Sequence, residues 1–138
     1  MAYKYVVDTL RDISEDINPN GTFIHARRWD FSVDYDKPFP QVHLYPIQTE
    51  VNTDNAVIER HSILLGFAYQ DTPESSNEER EGLIEKADIL CRSFIAELLN
   101  GEGYETINFR SEPFYRDMSG TLSGYLLRFT MVTSESIC

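Results

Sequence analysis

Residues 57–100, VIERHSILLGFAYQDTPESSNEEREGLIEKADILCRSFIAELLN, decide the fold, because the spacing of their apolar residues changes from every second position to every third or fourth. The first part predicts a strand from Val57 to Gln70 with one apolar face: Val57, Ile63, Leu65, Phe67 and Tyr69. The second predicts a helix from Asn77, its N-cap, to about Asn100 with one apolar stripe: Leu83, Ile84, Ala87, Leu90, Cys91, Phe94, Ile95 and Leu98. We expect this long helix to cover one face of a sheet.

Upstream of this stretch, the sequence predicts one short helix and two strands. Residues 3–17 have the spacing of an amphipathic helix. A strand follows over 23–35 and a second over about 41–51, in which the apolar side changes at Tyr45-Pro46, as at a bulge or a sheet edge. Paired with the strand 57–70, this second strand would form a hairpin with arms of roughly 40 Å. Such a hairpin would protrude beyond a small core.

Downstream, alternating apolar residues predict two further strands, 104–110 and 121–133, joined by a loop over 111–120. The predicted order of elements is α-β-β-β-α-β-β. We expect an α+β fold in which one long helix and the N-terminal helix cover a mostly antiparallel sheet, with the long hairpin protruding. A length of 138 residues fits a single domain over 1–138.

The composition is that of an acidic globular protein. Twelve Lys and Arg residues against 23 Asp and Glu give a net charge of −11, so a basic surface for nucleic acid is not expected. No run approaches the roughly 18 apolar residues of a membrane span, and acidic residues near the N-terminus argue against a signal peptide. The two cysteines form neither a disulfide framework nor a C-x-x-C motif, which favours the cytoplasm.

No motif in the sequence has the pattern of a catalytic or metal site. In a meander of strands, His43 lies opposite Gly66 and near Phe31, so it does not converge with His25 or His61. Turns and helix capping explain an Asp-x-Asp and a Gly-x-Gly motif: Asp34, Asp36, Gly101 and Gly103. We therefore expect no enzyme, no cofactor and no metal ligands.

The segment Ile63–Leu99, ILLGFAYQDTPESSNEEREGLIEKADILCRSFIAELL, resembles the tail-terminator and neck-ring proteins of tailed bacteriophages. The likeness consists of a strand, a polar Gln-Asp junction, and a long helix whose start carries an E-R pair followed by Ala. The segment Asp117–Tyr125, DMSGTLSGY, with the alternating strand after it, looks like the final strand of that family. The resemblance implies a structural virion protein, a tail terminator or head-tail connector ring.

The resemblance further implies a homo-oligomeric ring of six or twelve copies at the phage neck or tail end, assembled in the host cytoplasm. Its partners would be its own copies and other neck or tail proteins of the phage, with no membrane involved. DNA would pass through the lumen without sequence-specific binding. An acidic lumen would repel the phosphate backbone.

Three groups of residues are candidates for the subunit interface: Arg27, Arg28 and Trp29; Tyr45 and Ile47; Phe114 and Tyr115. Arg and Trp are enriched at interface hot spots, although a core Trp beside two solvated arginines is the simpler explanation of the first group. The second group lies where the alternation changes side, so the subunit's own helix should leave an apolar side chain uncovered. The third places two aromatic residues in a loop, where they need a partner or must fold back.

Two other functions fit the same sequence. A sheet covered by two helices also describes ferredoxin-like sensors, so a small ligand-binding or regulatory module is the main alternative. The net charge also fits an acidic inhibitor that imitates nucleic acid. A ligand-dependent shift in melting temperature would favour the first, and salt-sensitive binding to a basic enzyme would favour the second.

Overall fold

A computed structural model describes residues 2–25, 36–53, 56–72, 74–116 and 122–136, which form two helices and six strands. In chain order these are α1 (Ala2–Ile17), β1 (Thr22–His25), β2 (Gln41–Leu44), β3 (Gln48–Asn52), β4 (Ala56–Gln70), α2 (Asn77–Asn100), β5 (Glu105–Arg116) and β6 (Leu122–Ser136). The strands form one mixed sheet, and both helices pack on the same face of it. The predicted α+β class is confirmed.

The sheet has the strand order β1-β2-β4-β6-β5, and β3 pairs with the outer part of β4. All pairs are antiparallel except that of β1 with β2. β4 and β5 run in the same direction on either side of β6, and α2 connects them. These four elements therefore include a split β-α-β unit.

The parallel pairing of β1 with β2 corrects the prediction of a meander, and hydrogen bonds at the start of both strands explain it. The Asn18 side-chain amide and the Thr22 N–H both donate to the Pro40 carbonyl, at 2.9 and 3.2 Å. The Thr22 hydroxyl donates to the Pro38 carbonyl at 2.8 Å. These bonds hold the two strand starts side by side, so the strands run the same way. Residues 26–35 of the predicted first strand lie outside the described residues.

The second predicted strand is in fact two strands, so the described residues before α2 form four strands where three were predicted. Leu44 pairs with Leu65 of β4, and Gln48 pairs with Ser62 of β4. Between these two pairs, the three residues 45–47 face only the two residues 63–64 of β4. The extra residue lies within Tyr45–Ile47, at the position of the predicted bulge or edge. This irregularity ends β2 and starts β3 in a register shifted by one residue.

The predicted protruding hairpin is not confirmed. β4 pairs with β6 along its whole length, from Ala56 opposite Ser136 to Gln70 opposite Leu122. The outer end of β4 is held between β3 and β6, because β6 continues beyond its predicted end at Thr133. Backbone hydrogen bonds to β6 therefore satisfy a strand edge that a two-stranded arm would have left open.

The hydrophobic core lies between the helices and the inward face of the sheet. Its central contact is between the rings of Phe67 and Phe94, which meet edge to face with centroids 5.6 Å apart. The buried members come from both helices and from β2, β4 and β6: Val6, Val7, Leu10, Val42, Leu44, Ile63, Leu65, Phe67, Ala87, Cys91, Phe94, Leu98, Leu127, Phe129 and Met131. Burial raises the pKa of the Cys91 thiol to about 12, with Asp88 adding to the rise, so the thiol is protonated.

Ser76, and not the predicted Asn77, is the N-cap of α2. Its backbone is extended, its hydroxyl accepts from the Glu79 N–H at 3.1 Å, and the Glu79 carboxylate accepts from the Ser76 N–H at 3.2 Å. This reciprocal pair is a capping box, which satisfies two donors that the first turn leaves open. Neither helix in the described part of the chain is long and apolar enough to cross a membrane.

Candidate functional site

The face of the sheet that points away from both helices carries two arginines side by side. Arg110 of β5 and Arg128 of β6 are direct cross-strand partners, and both are exposed. Next to them, on the same face, Ile107 pairs with Thr130 and is 43% exposed. We call these four residues the arginine patch.

Two adjacent depressions, of about 430 and 450 Å³, open around the arginine patch. Arg110 and Arg128 line both of them. Ser111, Glu112 and Leu126 complete the first, and Gln48, Ser62, Ile63, Leu64, Asn108, Phe129 and Thr130 complete the second. The surface is therefore concave and mostly polar around the two guanidinium groups.

A β-bulge in β5 determines that Arg110 lies on this face. Between Ile107 and Arg110, two residues of β5 face one residue of β6. Asn108 has a φ of 61°, in the left-handed region that Asn adopts more readily than most residues. Phe109 then turns towards the core, where its ring stacks on Phe129 with centroids 5.1 Å apart. Without the extra residue, strict alternation would turn Phe109 outwards and Arg110 towards the helices.

Glu112 lies on the same face of β5 and lines the first depression with Arg110 and Arg128, but neither arginine forms an ion pair within the described part of the chain. Like charges directly opposite each other on a sheet destabilise it. An arginine fork binds carboxylate or phosphate groups through two parallel hydrogen bonds. In a chain of net charge −11, this cationic pair marks a surface that an anionic group would stabilise.

The side of the sheet that the helices cover carries a groove lined with carboxylates. It is a depression of about 520 Å³ between α2 and β6, lined by Glu78, Glu81, Gly82, Ile84, Glu85, Asp88 and Tyr125. Asp88 pairs with Arg92 at 3.2 Å, whereas Glu81 and Glu85 are exposed and form no ion pair among the residues that the structure describes. Burial raises the pKa of Tyr125, and Asp88 adds to the rise. The groove therefore combines a neutral phenol with a row of anionic groups.

Glu81 and Glu85 are followed along the outward side of α2 by Ile89, which is 59% exposed. The three residues are four positions apart, so they stand one above the other on the helix surface. We call Glu81, Glu85 and Ile89 the acidic row. The acidic row lies on the helix-covered side of the sheet, and the arginine patch lies on the opposite, helix-free face.

Two of the predicted interface residues, Tyr45 and Phe114, come together in a second apolar cluster. The cluster also contains Ala68 and Leu122, with Phe39, Leu64 and Leu126 packed against it. Both aromatic side chains are buried within the subunit, at 5% and 8% exposure. They therefore cover part of the helix-free face and present little surface to a neighbour.

The remaining predicted interface residues have separate positions. Ile47 is half-buried and packs against the main core. Tyr115 is 52% exposed and lies in β5, which extends to Arg116 through part of the predicted loop. The first group lies outside the described residues: Arg27, Arg28 and Trp29.

Asp71, directly after β4, is the centre of a buried polar junction. Its carboxylate accepts hydrogen bonds from Arg80 Nε, Ser123 Oγ and the Thr72 N–H, each at 2.7 Å. Burial alone would raise its pKa, but hydrogen bonds from Ser123, Arg80, Ser75 and Thr72 outweigh burial and hold the pKa well below its ordinary value. The junction joins β4, α2 and β6. Asp71 of the Gln-Asp motif and Arg80 of the E-R motif, both quoted for the phage resemblance, therefore have a structural role here.

The three histidines have different surroundings. Their hydrogen-bond partners include Tyr3 for His25, Gln41 for His43, and Thr49 and Thr133 for His61. His43 lies opposite Gly66, as predicted. Over the described ranges, no three His, Cys, Asp or Glu side chains form a group that could hold a metal ion.

Acidification is expected to destabilise the protein through His43. Burial lowers the pKa of its imidazole from 6.5 to about 4, and each unit of difference is worth about 1.4 kcal/mol. Since protonation is then easier in the unfolded chain, the full stability is present above about pH 6.5 and is lost as the pH falls towards 4. We expect a loss of about 3 kcal/mol over this window, measured by urea unfolding at a series of pH values.

His43→Gln is the matched variant, because glutamine retains a hydrogen-bonding side chain but does not titrate. The unfolding free energy of this variant should fall far less over the same window. Burial also lowers the pKa of His61, with Glu59 opposing, but this residue is present in both proteins and cancels in the comparison. An equal fall in both proteins would assign the acid sensitivity to other groups.

The arginine patch was missed in the sequence. A signal for Arg128 was present, because the alternation of Tyr125, Leu127 and Phe129 on the core side places it on the other face. Arg110 gave no such signal, since the bulge at Asn108 reverses the parity of β5. Only the pairing of β5 with β6 brings the two arginines together.

No family model matches the sequence. No curated protein matches it either. The function is therefore inferred from the residues of this chain and from their geometry.

Proposed function

We propose that this chain is a structural subunit that assembles with copies of itself into a ring, of the tail-terminator or neck-ring kind found in tailed bacteriophages. The phage context comes from the resemblance of residues 63–99 and 117–125. The observation that carries self-assembly is the position of a cationic patch and an acidic row on opposite sides of one layer. In this proposal the ring has six or twelve copies and contacts other neck or tail proteins.

Opposite positions of complementary surfaces favour a ring over a two-fold dimer. A two-fold interface uses one region of each copy, and two surfaces on opposite sides of the subunit cannot both face the same partner across a two-fold axis. Contact between the front of one copy and the back of the next is head-to-tail. Such a contact repeats around a circle and closes into a ring when the rotation per copy divides the full turn.

The net charge of −11 fits a passage for DNA. Carboxylates that line a lumen repel the phosphate backbone, so DNA moves through without binding. The cationic patch would be covered at the subunit contact in this arrangement. The chain then needs no base-specific or phosphate-binding surface.

Self-assembly is tested by size-exclusion chromatography with light scattering over a wide concentration range, with negative-stain images of every large species. We expect a discrete species of six or twelve copies with a central hole. Its amount should fall with added salt, because exposed charge contacts are screened within about 8 Å at physiological ionic strength. A strict monomer at every concentration, or a closed dimer, would contradict the proposal.

A small ligand-binding or regulatory module of ferredoxin-like type is the alternative. The split β-α-β unit and the depression at Arg110 and Arg128 favour it. Such a module would bind a small anion there, and inorganic phosphate or a dicarboxylate would raise its melting temperature. A monomer with that response would favour this function over the ring.

A further inference from the structure

We propose that the arginine patch binds the acidic row of a second copy of this chain, with Arg110 and Arg128 paired to Glu81 and Glu85. The inference rests on the proposed ring assembly and identifies the contact that would form it. The patch needs an anionic partner, and the acidic row is the complementary surface that the same chain offers on its opposite side.

The spacing of the charged groups matches on the two surfaces. Direct cross-strand partners such as Arg110 and Arg128 have Cβ atoms roughly 5 Å apart. Residues four apart on a helix, such as Glu81 and Glu85, have Cβ atoms about 5–6 Å apart. Each guanidinium therefore has its own carboxylate, and each pair can form two parallel hydrogen bonds.

An exposed isoleucine lies beside the charges on each of the two surfaces. Ile107 lies one position further along the same face of β5 than Arg110, and it is 43% exposed. Ile89 lies one helical turn beyond Glu85, and it is 59% exposed. Ile107 neighbours Arg110 along the strand, at right angles to the Arg110–Arg128 pair, whereas Ile89 extends the line of the two carboxylates. The two isoleucines therefore border the charge pairs on different sides, where each excludes water from them.

The carboxylates and guanidinium groups are available for this contact. Glu81 and Glu85 form no ion pair in the described parts of the chain, while Asp88 beside them is already paired with Arg92. Contact with the acidic row would also relieve the repulsion between the two arginines. A single contact thus gives ion-pair partners to two arginines and two glutamates that form none in the described parts of the subunit.

Single charge reversals test the contact. Arg128→Glu and Glu85→Arg should each weaken self-association by at least about tenfold, because each brings like charges together at the contact. The melting temperature of the subunit should not fall, and Arg128→Glu should raise it by removing the cross-strand repulsion. Lys4→Glu and Glu97→Arg change the net charge equally at exposed positions outside both surfaces, and they should assemble as the wild type does.

An equimolar mixture of the two charge-reversal variants distinguishes loss of this particular charge pair from a general loss of self-association. In a ring of alternating copies, Arg128→Glu meets Glu85→Arg at one contact, and the unchanged residues meet at the next. Assembly of the equimolar mixture, by light scattering, with neither chain assembling alone, would establish the contact. A mixture that stays monomeric would overturn the proposed partner.

Failure of this inference differs from failure of the proposed function. If the wild type forms rings and both reversed chains also form them, the contact is wrong and the ring function stands. If the wild type is monomeric at every concentration, both are wrong. If the wild type stays monomeric and inorganic phosphate binds at the arginine patch, the patch is a binding site for a small anion.

Discussion

Replacing Gly124 by alanine is expected to cost about 3 kcal/mol or more of unfolding free energy, or to prevent folding. Gly124 is buried in β6, between Ala68 of β4 and Phe114 of β5. A Cβ atom at this position would collide with the carbonyl oxygen of Phe67 and lie 2.9 Å from its carbonyl carbon. The obstacle is the backbone of the central strand pair, so no side-chain rotation relieves it.

Gly82→Ala is the matched control for this experiment. Gly82 lies in α2, and a Cβ atom there meets nothing within 4 Å. Since alanine loses less backbone entropy in a helix, this variant should gain about 0.5–1 kcal/mol. Urea unfolding of both variants gives the comparison. Wild-type stability in Gly124→Ala would mean that β4 and β6 lie further apart than the structure places them.

Replacing Asp71 by alanine is expected to cost about 3–5 kcal/mol, because it leaves the Arg80 guanidinium buried without its partner. The Asp71 side chain is fully buried, and that of Arg80 is 10% exposed. The variant also removes the acceptor for Ser123 Oγ, and so the link between α2 and the start of β6. Chemical denaturation measures the loss directly.

Asp88→Ala is the matched control, since it removes the same side chain from the surface pair with Arg92. A surface pair contributes about 0–1 kcal/mol, so this variant should be close to the wild type. If both variants lose the same unfolding free energy, the buried junction stabilises the protein no more than the surface pair does.

The effect of Asp71 should also depend on pH. Its pKa is lowered in the folded protein, by hydrogen bonds that outweigh burial, so its contribution is present above the unfolded pKa of about 3.9. The contribution is lost as the pH falls below that value. The difference between wild type and Asp71→Ala should therefore shrink below about pH 4, which is a lower window than that of His43.

The sequence predicted the fold class but not the features that build the candidate site. The alternation in residues 57–70 and the stripe in α2 are local patterns, and they indicated an α+β fold with helices over a sheet. The patterns contain no information on strand direction, which explains the missed parallel pair of β1 and β2. The ring function itself stays a prediction.

By itself, the sequence determined which faces of β4, β6 and the helices are apolar, because the spacing of apolar residues depends only on neighbours in the chain. Only the tertiary structure decided that Arg110 lies opposite Arg128, and that Asp71, Arg80 and Ser123 meet in one junction. Register, bulges and strand direction are determined by hydrogen bonds between residues far apart in the chain. The arginine patch depends on one such bulge at Asn108, and so it exists only in the folded protein.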